Sequence, residues 1–285
     1  MPRACAQAPA CSTLAGARPA PQRRFVTVTR AKDVAEDVAL FKLDTNGKGT
    51  LPYVPGQHVT LRVPVNEGSE PLTRSWTIVE NPTLLLPSYT NSQVNIAVKR
   101  DGGGGGASVW MHEHLRDGDE LELQGVEGAF VMDVLSPGFA ATVPRKLLLL
   151  SAGIGITPFV SMLLALQASA PLRRSDRPSA DATDIVLLHS TRRMSQVPYQ
   201  QKLEALADGS EEWSGGSFNV RIEWVITGQE GAGRVGAEGI VAAVPDVAAR
   251  EVMLCGPPGY MEDMFAALGG LGVGPERIRT ESFLM

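Results

Sequence analysis

The chain reads as a β-barrel joined to an α/β domain: an antiparallel barrel in its first half and a parallel sheet flanked by helices in its second. Three observations predict this. Short runs rich in Val, Phe and Thr recur between turn signals before Gly102, where helical periodicity is scarce. From Lys146 onward, apolar strand-like runs alternate with amphipathic helical segments. At the junction, RKLLLLSAGIGITPFVSML links an unbroken apolar run to a Gly-x-Gly turn and then to a helix opened by proline.

Taken in order, Phe25 to Thr29 and Val38 to Lys42 are the first strand candidates. His58 to Val63 alternates behind the breaker pair Pro55-Gly56, and Val94 to Lys99 and Glu120 to Leu123 add two more. After the glycine run Gly102 to Gly106, Ser108 is expected to cap a short helix carrying Trp110, Met111 and Leu115. Phe130 and Val131 are expected to form a last barrel strand. The boundary is placed near Pro137 to Arg145, which divides the chain into a tail at 1–24, a barrel at 25–142 and an α/β domain at 143–285.

In the second half, Leu147 to Leu150 has the unbroken hydrophobicity of a strand buried on both faces, and Phe159 to Leu166 continues as a helix. Ile185 to Leu188, Val220 to Ile226 and Val252 to Leu254 are the next strands. Ser169 to Thr183 is a polar, breaker-rich excursion between helix and strand. Met261, Met264, Phe265 and Leu268 fall at helical spacing and are read as core. An open sheet of this kind binds ligands at the C-terminal ends of its strands.

Composition narrows the function. A hydrophobic content of 44% in 285 residues can supply a sizeable core or two. The net charge of -5, without a strong basic or acidic block in the body, gives no reason for a nucleic-acid partner. No apolar run approaches the roughly eighteen residues of a membrane-spanning helix. Cys5, Cys11 and Cys255 form neither a metal quartet nor the four-ligand set of a [2Fe-2S] cluster, and His112 and His114 point apart on a helix. No metal site is expected. Residues 1 to 32 carry six basic and no acidic side chains, a bias compatible with mitochondrial or plastid import; a cytosolic protein with a flexible tail is the alternative.

The glycine turn carries the first chemical signal. Gly153 and Gly155 permit backbone conformations and close approaches that a Cβ would obstruct, and they leave free N–H groups where a diphosphate can be held. An ordinary αβ turn would look the same, so the rest of the chain decides.

The order of segments resembles the ferredoxin–NADP reductase superfamily of flavoproteins, especially the reductase modules of flavohaemoglobins and oxygenase electron-transfer proteins. PGQHVTLRV precedes RSWT, similar to that family's Arg-x-aromatic-Ser/Thr flavin motif; GGASVWMHEHL resembles its flavin-diphosphate segment; SAGIGITP, LCGPPG and the terminal ESF follow in the family's order. The likeness runs from about Phe25 to Phe283. The third small position of the turn is Pro158, as in the GxGxxP form that the family carries.

The resemblance implies a flavin-binding barrel, an NAD(P)-binding α/β domain and a reaction between them. Arg74 would hold a flavin phosphate, since its guanidinium offers several fixed donors; Ser75 lies in the same motif, Trp76 would stack on the ring and Thr77 would sit near flavin N5. Gly105, Gly106, Ala107 and Ser108 would take the flavin diphosphate, implying FAD rather than FMN. Gly153, Gly155, Thr157 and Pro158 would shape the pyridine-nucleotide diphosphate turn. Cys255, Gly256 and Pro257 would lie on the nicotinamide side, with Glu281 and Phe283 near the nicotinamide and the flavin ring. The second α/β strand ends in His189-Ser190-Thr191-Arg192-Arg193 without the acid that holds an NAD ribose, so Arg192 or Arg193 favours NADPH and leaves NADH open. The implied activity is hydride transfer from NAD(P)H to flavin, then electron release to an unidentified acceptor, with a separate redox protein favoured. A direct quinone or small-molecule reductase and a noncatalytic flavin-binding interaction protein are the alternatives.

Overall fold

Period-two alternation builds the first half. In β3 (His58–Val63) the residues Val59, Leu61 and Val63 turn inward and their neighbours outward, as a pleated strand dictates. A computed structural model of the chain describes residues 24–65, 68–80, 91–101, 106–132, 144, 146–169, 183–208, 218–228 and 235–282. Its first half is a closed barrel of order β1-β2-β5-β4-β3-β6, every pairing antiparallel. The other strands are β1 (Arg24–Ala35), β2 (Val38–Asp44), β4 (Leu72–Glu80), β5 (Gln93–Lys99) and β6 (Glu120–Glu127). The proposed tail, apart from Arg24, falls outside the described residues, as do most of the glycine run, the boundary loop at 133–143 and most of the excursion at 170–182.

β4 escapes a reading by hydrophobic pattern because its first half, Leu-Thr-Arg-Ser-Trp, is half-exposed and mostly polar. The expected strand at Phe130 and Val131 does not form. Both edges of β6 are already taken, by β1 and β3, so the closed barrel has no ladder left to offer. Phe130 instead packs edge-on against Phe159 with ring centroids 5.7 Å apart. Ser108 is also not the cap: α1 (Ala107–Glu113) starts after Gly106, and the Ser108 hydroxyl donates to Asp101 Oδ2 at 3.0 Å.

The second half is a five-stranded parallel sheet of order β11-β10-β7-β8-β9. Its strands are β7 (Lys146–Ala152), β8 (Thr183–Thr191), β9 (Phe218–Ile226), β10 (Glu251–Cys255) and β11 (Ile278–Glu281). The helices are α2 (Thr157–Ser169), α3 (Gln200–Ala207), α4 (Ala237–Ala243) and α5 (Pro258–Gly270). Alternate residues of β7 and β8 feed two cores. Leu148, Leu150, Val186 and Leu188 join Met264 and Leu268 of α5, whereas Leu147, Leu149, Ile185 and Leu187 join α2 and α3. Phe265, read from its spacing as core, is 45% exposed because α5 buries only one stripe.

The α2 side of the sheet is also the side that meets the barrel. β2 is buried on both faces: Ala39, Phe41 and Leu43 fill the barrel, while Val38 and Leu40 enter the core of the α/β half. Val79 and Ala97 do the same from β4 and β5. One hydrophobic core therefore spans both halves, and β4 fixes the barrel against α2.

Candidate functional site

The sheet order creates the crevice. After β7 the chain moves to β8 and β9 on one side, then returns to β10 and β11 on the other, so the connections diverge at the C-terminal ends of β7 and β10. There the segment Gly153–Ile156 forms a 3-10 turn that runs directly into α2. Gly153 has φ +55°, the left-handed region that favours glycine, and a Cβ on it would enter open space. Gly155 is required for a different reason: a Cβ there would lie 2.6 Å from the Cys255 carbonyl oxygen and 2.8 Å from the Gly256 Cα. The two loops flanking the crevice thus touch backbone to backbone.

Thr157 ties this turn to the barrel. Its hydroxyl lies 2.9 Å from the Ile154 carbonyl and 3.2 Å from the buried Thr77 hydroxyl. The single Thr157 proton serves one of these acceptors at a time; when it goes to Thr77, the Thr77 proton is left for a third group in the cleft. That cleft, about 140 Å³ and open to solvent, is lined on the barrel side by Arg74, Ser75, Trp76 and Thr77 and by Gly106, Ala107 and Ser108. Ile154 and Thr157 close its far wall. The register explains the convergence: β4 carries its polar segment antiparallel to β3, with Ser75 facing Thr60 across a 2.9 Å hydroxyl contact. The Arg74 guanidinium donates to the carbonyl of its neighbour Thr73 at 2.9 Å and has no ion-pair partner among the described residues.

On the sheet side, Cys255 is fully buried and stands in register with Glu281 of β11. Burial, and secondarily the Glu281 carboxylate, push its thiol well above the usual range, so it is neither a thiolate nor a nucleophile near neutral pH. Glu281 Oε1 lies 3.4 Å from His58 Nδ1 of the barrel, while its buried Oε2 has no hydrogen-bond partner among the described residues. Behind the crevice, His189 Nδ1 is 2.9 Å from Ser151 Oγ, and burial lowers its pKa to about 3, with Lys99 adding to the shift. This imidazole is neutral.

Of the residues expected at a site, Arg74 to Thr77, Gly106 to Ser108, Gly153, Gly155, Thr157 and Cys255 converge on the cleft and crevice. Pro158 is buried in the first turn of α2, and Pro257 is exposed just before α5. Gly105 and Phe283 lie outside the described residues. The two arginines after β8 separate: Arg193 pairs with Glu36 of the barrel, while Arg192 is exposed. Sequence reasoning missed Lys99, Asp101 and Ala97, which line the cleft, and His58. Ala97, Lys99 and His58 all fell in recognised strands, and nothing local marked their orientation. Among the described residues no group of His, Cys, Asp and Glu is arranged to hold a metal, and no helix is long and apolar enough to cross a membrane.

Residues 25–132 match the family model described as oxidoreductase FAD-binding domain, and 149–265 match oxidoreductase NAD-binding domain. A flavohemoprotein of Bordetella pertussis is 29% identical over 92% of this chain and 60% of its own length. The glycine betaine monooxygenase reductase subunit of Pseudomonas aeruginosa is 32% identical over 81% of this chain and 56% of its own length. The chain thus spans little more than half of these relatives. Among solved structures, the FAD/NAD-binding domain of nitric oxide dioxygenase from Vibrio cholerae superposes with a TM-score of 0.67 at 22% identity, covering 91% of this chain and 98% of that one. With both domains matched in this order and folded as barrel and parallel sheet, the chain belongs to the ferredoxin–NADP reductase superfamily of flavoproteins.

Proposed function

We propose that this chain is an FAD-dependent NAD(P)H oxidoreductase that delivers electrons to a separate redox protein. One observation carries the reading: Thr77 of the barrel's flavin motif and Thr157 of the nucleotide turn meet at 3.2 Å, so groups held by the two halves would share one cleft. The residues present fit both groups. Arg74 has a guanidinium without an ionic partner among the described residues, and Cβ atoms on Gly106 and Gly153 would project into open space. The orphaned Glu281 Oε2 can accept a hydrogen bond from a carboxamide.

Bound FAD supplies hydride acceptance and release of electrons singly or as a pair. The chain's own groups position and exclude. Arg74 and the Gly106 to Ser108 segment hold phosphate, Trp76 offers an aromatic face and Thr77 presents its hydroxyl to the ring edge. Gly153, Gly155, Thr157 and Pro158 receive the nucleotide diphosphate, with Cys255, Gly256, Pro257 and Glu281 on the nicotinamide side. Phe283 is assigned by resemblance to the flavin face. β8 neighbours β7 in the sheet, so the exposed Arg192 after it would be the residue to hold the additional phosphate of NADPH. Relatives named as reductase subunits support a protein acceptor over a quinone.

Anaerobic mixing of the FAD-loaded protein with NADH and with NADPH, followed by flavin absorbance, tests the proposal. Bleaching with both and faster reduction by NADPH is the expected outcome. Failure of both donors on folded, FAD-loaded protein would overturn it.

A further inference from the structure

We propose that Glu36, on the barrel, is a positioning residue for donor specificity in the sheet: it holds Arg193 away from the nucleotide and leaves Arg192 to bind the adenosine 2′-phosphate. This rests on the reductase reading above. Glu36 sits at the tip of the β1–β2 hairpin, before Asp37 with φ 61°. Its backbone N–H donates to the Ser195 carbonyl at 2.6 Å, and the Ser195 hydroxyl donates to its Oε2 at 2.5 Å. Its Oε1 takes the Arg193 guanidinium in an ion pair. Both carboxylate oxygens and the backbone amide are therefore committed to the segment that follows β8.

The other flank of that segment is fastened as well. Thr227 N–H donates to the Thr191 carbonyl at 2.8 Å, and Thr191 Oγ1 donates to the Arg193 carbonyl at 3.0 Å. Gly228 packs so closely that a Cβ would lie 2.3 Å from the Arg192 carbonyl oxygen. Arg193 is extended, with φ -146° and ψ 144°, so successive side chains leave on opposite sides. With Arg193 turned to the barrel, Arg192 turns to solvent at the strand end, and it has no ion-pair partner among the described residues. An exposed ion pair stabilises a fold little, so the consequence of the Glu36 contact is directional.

The test is calorimetric titration of the FAD-loaded chain with NADP+ and with NAD+. Arg192→Ala should weaken NADP+ binding by about tenfold or more, as loss of a charged phosphate contact does, and leave NAD+ within about twofold. Arg193→Ala should leave the NADP+ to NAD+ ratio unchanged. Glu36→Gln frees the second guanidinium and should tighten NADP+ about threefold to tenfold without altering NAD+, with Glu36→Asp retaining the wild-type ratio. A merely structural Glu36 would shift both nucleotides together, which would overturn the proposal. Equal losses in Arg192→Ala and Arg193→Ala would also overturn it. If the wild-type chain binds neither nucleotide, the reductase reading itself fails, a result distinct from an unchanged ratio.

Discussion

At the scale of single residues, burial decides protonation, and protonation decides what each group can do. Cys255 stays a thiol and His189 a neutral imidazole because neither can be hydrated when charged. For His189 the consequence is measurable. Its folded pKa of about 3 lies below the unfolded value of 6.5, so the unfolded chain binds the proton first. Its contribution is therefore fully present above pH 6.5 and is lost as the pH falls toward 3. Each pH unit in that window costs about 1.4 kcal/mol, or about 2 kcal/mol by pH 5. Urea unfolding of wild type and His189→Gln at about pH 7.5 and pH 5 should show the steeper loss in wild type; identical pH slopes would contradict this. The sequence displayed His189 at the end of a strand, but burial beside Ser151 and Trp224 arises only when β7, β8 and β9 align.

At the scale of elements, the two glycines of the turn between β7 and α2 do unlike things. Gly153 supplies a backbone conformation, a local property that the Gly-x-Gly pattern announces. Gly155 supplies room for the loop after β10, a non-local requirement. Gly155→Ala forces the turn and the Cys255-Gly256 loop apart and should destabilise the chain by about 1–3 kcal/mol, the usual cost of overpacking. Because the clash is on the sheet side, flavin occupancy should persist while NAD(P)H-driven bleaching slows. Flavin absorbance per folded protein and the rate of anaerobic reduction check both halves of this outcome; equal rates in wild type and variant would refute it. The elements themselves were mostly legible: β3 matched to the residue, and β7, β8, β9 and β10 had their apolar centres recognised. β4 was missed as a strand because the same polar residues that face the cleft hide its periodicity.

At the scale of the whole molecule, Val38, Leu40, Val79 and Ala97 of the barrel share a core with α2, Phe130 and the sheet. Domains joined by a hydrophobic interface lose the independent motion that small polar contacts permit. Unfolding should accordingly be one transition, with flavin release and far-UV dichroism falling at the same urea concentration. Phe130→Ala removes the ring that packs on Phe159 between the halves and should cost about 3–5 kcal/mol. Its predicted signature is a midpoint lowered relative to wild type with both probes still coincident in the variant; two separated transitions in wild type would show that the halves fold independently.

The sequence alone determined the division into barrel and parallel sheet and the strand-turn-proline-helix junction with its Gly-x-Gly turn. These are local properties, carried by side-chain period, glycine freedom and the fixed φ of proline. Tertiary structure decided that Phe130 leaves the barrel for the shared core, that Lys99 faces the cleft, that His58 meets Glu281 and that Glu36 claims Arg193. Each of these depends on where two distant stretches of chain pass one another. No periodicity within either stretch records that, because a side chain's partner is set by the closed barrel and the strand order rather than by its neighbours in sequence.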